Sequence, residues 1–222
     1  MDAKRIIPVV RVQAGRVAGG GFEGRPADWA CRLELEGADG LLFQADTATD
    51  LGWISEAAGA LSVPLALEAP FNRWAELEAA LEAGADRVIL AAPAAMLTAA
   101  AQTFGRCHVA VAVEAVLTES GWRVWLPIEA EGRDALDWMR ELEQRGAGEI
   151  LLRTSPEGEA GAALFQQTAG MALAVLCLTS GDETQAAEAL LHGADGVAFP
   201  AGTWTPRQWK TALGAQGLAV RD

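Results

Sequence analysis

Four short segments constrain the fold of this chain more than any other feature: "EGADGLLF" (36–43), "AGADRVIL" (83–90), "RGAGEILL" (145–152) and "HGADGVAF" (192–199). In each, a helical run stops at a glycine and an apolar run follows. Glycine is the residue expected just past a helix end, where the backbone turns left-handed. The glycines fall at 37, 84, 146 and 193. Positions 37 and 146 are 109 residues apart, and so are 84 and 193, so the chain reads as two equal halves with two such units each.

Four further apolar, β-branched runs lie between these: "RIIPVVRV" (5–12), "VPLALEA" (63–69), "HVAVAVEA" (108–115) and "ALAVLCLTS" (172–180). The runs "RWAELEAALEAG" (73–84), "DALDWMRELEQRG" (134–146) and "DETQAAEALLHG" (182–193) carry helical spacing. Strand and helix therefore alternate throughout, which predicts parallel strands joined by crossover helices. Eight such units in two similar halves predict an α/β fold, a compact (β/α)8 TIM barrel filling residues 1–222 as a single domain. A doubly wound open sheet would leave the twofold spacing unexplained. With 51% apolar residues, the chain can supply the core of one large domain.

Charge and composition exclude several functions. A net charge of −13 repels nucleic acid, so no nucleic-acid partner is expected. No run of 18 apolar residues predicts a membrane span, and "MDAKRIIPVV" lacks the pattern of a secretory leader, so the expected location is cytoplasmic. The three cysteines form no CxxC motif. Cys107 and Cys177 adjoin aliphatic runs and are predicted to be reduced core thiols. His108 and His192 stand apart from other ligand types, which disfavours a histidine-based metal site. No cofactor is implied. The glycine-rich "GRVAGGGFEGRP" (15–26) lacks the lysine of a phosphate-binding P-loop and is predicted to be a mobile loop over the strand ends.

Several stretches resemble one family, the cyclase subunit of imidazole glycerol phosphate synthase, a barrel of histidine biosynthesis. "AKRIIPVVRVQAGRV" is similar to its opening strand and loop, "AQTFG" (101–105) to the end of its fourth helix, and "RGAGEILL" to its sixth strand. "SGD" (180–182) and "GADGVAFPAG" (193–202) resemble its last two units, and "LGAQGLAVR" (213–221) its C-terminus. The resemblance implies cleavage and ring closure of an aminated phosphoribulosyl intermediate, using ammonia from a glutaminase partner. It also implies two acid/base aspartates at the ends of strands one and five. Two phosphate sites are implied at the ends of strands three, four, seven and eight.

The chain departs from that pattern where the chemistry lies. Arg11 and Glu114 occupy the positions of the two aspartates, and Val116 replaces an expected lysine. Glu68-Ala69-Pro70 replaces the glycine turn after the third strand, and Ala91-Ala92 the polar pair after the fourth. Asp182 replaces a glycine, and Ala201 a serine; Ser180, Gly181 and Gly202 are retained. An arginine stays protonated at neutral pH and cannot act as a general base. Phosphate needs approachable backbone N–H groups, which Pro70 lacks. Like charges ~4 Å apart repel by about 4 kcal/mol at an effective dielectric near 20, so Glu68 and Asp182 oppose a phosphate dianion.

Propagating the inward register predicts two charged layers. The upper one holds Arg11, Glu68, Glu114 and Arg153, with Gln44 or Asp46. It is expected to be an ion-paired plug, because inward charges are seldom left unpaired. The lower holds Arg5, Arg87 and Glu149 and resembles the family's charged ring at the ammonia entrance, with Gly40 in place of one acid. Glu157 is expected to be a solvated loop charge. Glu68, Glu114 and Glu157 could together coordinate magnesium or calcium, but Arg11 and Arg153 oppose a cation, so no metal site is expected. Trp204 and Trp209, in "PAGTWTPRQW" (200–209), are expected to pack over the barrel end.

The expected function is that of a barrel without cyclase activity acting as a small-ligand or protein-binding module, with Glu68, Arg153, Ser180, Gly181, Asp182 and Gly202 as the candidate residues for a small charged metabolite should the upper layer not be plugged. A glutaminase-like subunit is a further expected partner, at the N-terminal face. The alternative is an active lyase or cyclase-like enzyme with Glu114 as acid/base and Arg11 or Arg153 orienting an anionic substrate.

Overall fold

The computed structural model describes residues 3–18, 23–91, 94–127, 131–202 and 204–221. The strands are β1 (Arg5–Gln13), β2 (Arg16–Val17), β3 (Leu41–Ala45), β4 (Leu65–Glu68), β5 (Arg87–Ala91), β6 (Val109–Thr118), β7 (Gly121–Val124), β8 (Arg133–Asp134), β9 (Glu149–Ser155), β10 (Ala174–Leu178) and β11 (Gly196–Pro200). The helices are α1 (Pro26–Leu35), α2 (Gly52–Gly59), α3 (Trp74–Glu82), α4 (Leu97–Phe104), α5 (Ala135–Gln144), α6 (Glu159–Gln167), α7 (Glu183–Leu191) and α8 (Pro206–Ala215). A 3₁₀ turn (Arg106–His108) precedes β6. The strand order is β5-β4-β3-β1-β11-β10-β9-β6, and β5 also pairs with β6. The eight alternating strands and helices form a (β/α)8 barrel.

The chain divides into two compact units, residues 3–89 with 198–221, and residues 90–197. These boundaries differ from the halves of the sequence repeat, because the last βα unit belongs with the first strand. Lys4 N donates to the Ala219 carbonyl, Ala201 N to that of Val9, and Lys210 pairs with Asp39 at 2.8 Å.

In the first unit β1, β3 and β4 run parallel, with Val10, Phe43 and Leu67 aligned and buried. The glycine-rich segment is partly strand. Ala14 and Gly15, both at positive φ, make a two-residue turn that brings β2 back against β1, and Val17 bridges Gly24. Residues 19–22 lie outside the described residues. Trp209 is buried against Phe199, with ring centroids 4.6 Å apart; Trp204 lies 6.0 Å from Trp209 and stays 39% exposed.

In the second unit β6, β9 and β10 run parallel, with Val111, Ile150 and Val175 aligned and buried. Here β6 continues past the predicted end at 115 and folds into an antiparallel β7 through Glu119 and Ser120, with Gly121 at φ 99°. Asp134 caps α5 and Asp182 caps α7 through backbone N–H groups of their first turns. The thiols do not all fall where expected: Cys177 is buried, but Cys31 and Cys107 are exposed, Cys107 because it sits in the short 3₁₀ turn rather than on β6.

The four repeated turns are built alike. Gly37, Gly84, Gly146 and Gly193 all adopt positive φ. The next residue's N–H reaches back to the helix: Ala38 to Leu33, Ala85 to Ala80, Ala147 to Leu142, Ala194 to Ala189. In three turns the following aspartate carboxylate accepts a neighbouring strand's N–H at 2.8 Å: Asp39 from Ile6, Asp86 from Leu65, Asp195 from Val175. In the remaining turn the corresponding N–H, that of Val109, donates to the Arg106 carbonyl. A Cβ on Gly148 would lie 1.9 Å from that same oxygen. The 3₁₀ turn supplies a carbonyl in place of the carboxylate, which is why the repeat reads Gly-Ala-Gly there.

Candidate functional site

In a barrel of this class the strand C-terminal ends carry the chemistry, so the residues there are decisive. In the first unit, Arg11, Gln44 and Glu68 are register partners on β1, β3 and β4. Gln44 Nε2 donates to Glu68 Oε2 at 2.7 Å. Glu68 is half-buried and Arg11 is exposed; Asp46, just past β3, is exposed as well. Among the described residues of this unit, no carboxylate pairs with Arg11. The expected ion-paired plug is therefore not formed here. Arg11 follows a buried Val10 at the strand's open end, where water already solvates a guanidinium, and Gln44 meets the demand of Glu68.

The turn after β4 is closed by a different carboxylate. Glu76 Oε2 accepts the Asn72 N–H at 2.9 Å and the Arg73 N–H at 3.1 Å, and Glu76 Oε1 accepts Arg73 Nε at 2.8 Å. The Asn72 N–H, then the Arg73 side chain, hold the Glu76 carboxyl below its ordinary range. Pro70 is exposed, and its carbonyl accepts Asn72 Nδ2. Gly202, also of this unit, is exposed at φ 117°. Ala91 ends β5, and Ala92 lies outside the described residues.

In the second unit, Glu114 of β6 and Arg153 of β9 are register partners, and both are exposed. No ion pair joins them among the described residues of the unit, so the plug is missing here too. The turn after β10 holds Ser180, Gly181 and Asp182. Gly181 has φ 111°, the kind of backbone that lets N–H groups face an anion. An anion from the chain itself sits there. Glu157, from the loop between β9 and α6, accepts from Ser180 N at 3.2 Å, Ser180 Oγ at 3.2 Å and Thr179 Oγ1 at 3.0 Å. The expectation of a solvated Glu157 is corrected: it is half-buried and bonded to this turn. The sequence signal was present in the shortened "TSPEGEAG" loop, but its alignment does not say which donors it meets. Asp182 turns its carboxylate onto the Gln185 N–H at 3.1 Å.

Cys177 lies directly beneath this turn. Burial pushes its thiol up to about 12, with the Glu157 carboxylate adding to the rise. At the opposite strand ends, Arg5 and Arg87 are half-buried in the first unit and Glu149 is 5% exposed in the second. None of these three is without a partner. Among the described residues no group of three or more His, Cys, Asp or Glu side chains could hold a metal ion, and no helix is long and apolar enough to cross a membrane.

Comparison with known proteins agrees with this geometry. The family model described as "Histidine biosynthesis protein" matches residues 5–159. Imidazole glycerol phosphate synthase subunit HisF of Metallosphaera sedula is 35% identical over 170 residues, 68% of this chain and 68% of that protein. The subunit HisF of Campylobacter concisus is 37% identical over 169 residues, 68% of this chain and 67% of that protein. That of Dehalococcoides mccartyi is 32% identical over 167 residues, 67% and 66%. This chain, with its eight βα units, belongs to the histidine biosynthesis protein family as a HisF-type member.

Proposed function

We propose that this chain is a single-barrel, cytoplasmic HisF-type protein that has lost the cyclase reaction and binds a small charged ligand at its strand C-terminal ends. One observation carries the reading. In the turns after β4 and β10 the chain's own carboxylates take backbone N–H donors, Glu76 those of Asn72 and Arg73, and Glu157 that of Ser180. A phosphate arriving at either turn must displace a carboxylate and meet its charge. Independently, Arg11 stands where the resemblance places an acid/base aspartate, and a guanidinium cannot accept a proton at neutral pH.

The test is turnover of the family's aminated phosphoribulosyl substrate with ammonium as nitrogen source. The expected result is no imidazole product above the protein-free blank. Turnover that Glu114→Gln abolishes would establish the other reading, in which Glu114 is the acid/base and Arg153, its register partner, orients an anionic group. The relatives are named as subunits of a synthase, and we assign the strand N-terminal ends, where Arg5, Arg87 and Glu149 lie, to a glutaminase-like partner. Pull-down with a glutaminase subunit is expected to recover a complex that Arg5→Glu weakens.

A further inference from the structure

We propose that the row Arg11–Gln44–Glu68 in the first unit is a receptor for a zwitterion, with an anionic group at Arg11 and an ammonium at Glu68. This rests on the reading of the chain as a ligand-binding barrel and names the ligand class. The three residues are consecutive register partners on β1, β3 and β4, so their side chains share one face. Strands lie about 4.8 Å apart, which sets Arg11 and Glu68 about 10 Å apart at their Cα atoms. The ends carry opposite fixed charges with a neutral amide between them. Gln44 is committed to Glu68 through Nε2 at 2.7 Å, which fixes the carboxylate and prevents its collapse toward Arg11. Glu68 Oε1 has no partner among the described residues, and neither has the Arg11 guanidinium, which is exposed.

Each end has the chemistry for one half of the ligand. A guanidinium binds a carboxylate through two parallel N–H bonds. A carboxylate oxygen with one hydrogen bond in place accepts readily from an ammonium. The pair also rejects the wrong ligands: a dianion gains at Arg11 but is repelled by Glu68, and a dication meets the reverse. The charges stand two strands apart, so the fitting ligand carries them at the two ends of a short chain, not on one carbon.

Titration calorimetry on the full chain tests this with four probes: 6-aminohexanoate, hexanoate, hexylamine and inorganic phosphate. The expected result is binding of 6-aminohexanoate at least tenfold tighter than hexanoate or hexylamine. Arg11→Gln and Glu68→Gln, each of which removes one charge, should each weaken it at least tenfold. No binding by any organic probe would overturn the proposal. Hexanoate binding as tightly as the zwitterion, or both variants binding like the parent, would overturn it as well. The loss of cyclase function is judged separately: phosphate bound tightly, or substrate turned over, sinks that reading and leaves the probe comparison standing.

Discussion

Strand β10 begins and ends against a carboxylate, and the two ends differ in origin. At its start Val175 N donates to Asp195, and the same bond recurs at Ile6 with Asp39 and at Leu65 with Asp86. At its end Ser180 and Thr179 donate to Glu157, which comes from no repeated position. The first kind of carboxylate ties a helix exit to the neighbouring strand, and three of the four repeated turns carry it. The second kind occupies a backbone N–H and two hydroxyls of the turn. One end of the strand keeps the repeat, and at the other a loop carboxylate takes the donors of the turn.

The largest effect is expected where the repeat was broken for a steric reason. Gly148→Asp restores the Gly-Ala-Asp pattern but sets a Cβ 1.9 Å from the Arg106 carbonyl oxygen. Neither is a flexible side-chain tip, so the 3₁₀ turn must move. We expect a loss of about 4 kcal/mol or more in urea unfolding, or insoluble protein. A variant as stable as the parent would show that the turn yields freely and that Gly148 marks no substitution of carbonyl for carboxylate.

Next come the aspartates themselves, which separate by burial. The Asp39 side chain is 6% exposed and holds both Ile6 N and Lys210 Nζ, itself 14% exposed. Asp39→Ala leaves a nearly buried ammonium unpaired, and about 3 kcal/mol of stability should go. Asp195 makes the equivalent backbone bond in an exposed setting, so Asp195→Ala should cost only about 1 kcal/mol. Equal losses would mean that the strand N–H bond, and not the ion pair, dominates at Asp39.

Between the ends of β10 lies Cys177. An unfolded thiol ionises near 9.0 and this one near 12. Between those values the folded chain retains a proton that the unfolded chain has lost, so stability is full below about 9 and falls as pH rises. The slope is about 1.4 kcal/mol per pH unit, or about 2 kcal/mol by pH 10.5. The chain has no tyrosine to titrate in the same range. Cys177→Ala should flatten that part of the stability profile, and in native parent protein at pH 8 an alkylating reagent should label Cys31 and Cys107 but not Cys177. An alkaline profile unchanged in the variant would show that the thiol is not the titrating group.

Much of this was legible in the sequence, and the failures are instructive. The four glycine turns announced eight βα units because a helix exit followed at once by an apolar run leaves few other structures available. Arg11, Glu68, Pro70 and Asp182 were equally readable as charges or a missing backbone donor at strand ends. The plug was not. Register placed the charged side chains on one face, but whether they pair or face water depends on where each strand ends, and periodicity says nothing of that. Likewise β7 was hidden, because "LTESGWRV" offers only four residues of strand after a two-residue turn. Glu157 was seen as a carboxylate but not as a ligand of Ser180, because a loop's path is set by three-dimensional packing and not by local propensity.

Glu157 gives the smallest effect on stability and the sharpest on the comparison. Glu157→Gln keeps a carbonyl oxygen able to accept from Ser180 and Thr179 and removes only the charge. The bonds it makes are partly exposed, so the cost should stay below about 1 kcal/mol. Cys177 should remain inert at pH 8, because burial is the first cause of its raised position and Glu157 only the second. What should change is anion affinity. With the tethered carboxylate neutral, the turn at Ser180–Gly181 repels phosphate less, Asp182 remaining there as an acid, and phosphate-dependent chemical-shift changes at those two amides should be larger in the variant than in the parent. Phosphate binding equally well to both proteins would mean that Glu157 steps aside without cost, and the turn would then have to be counted with the parts of the fold that were kept.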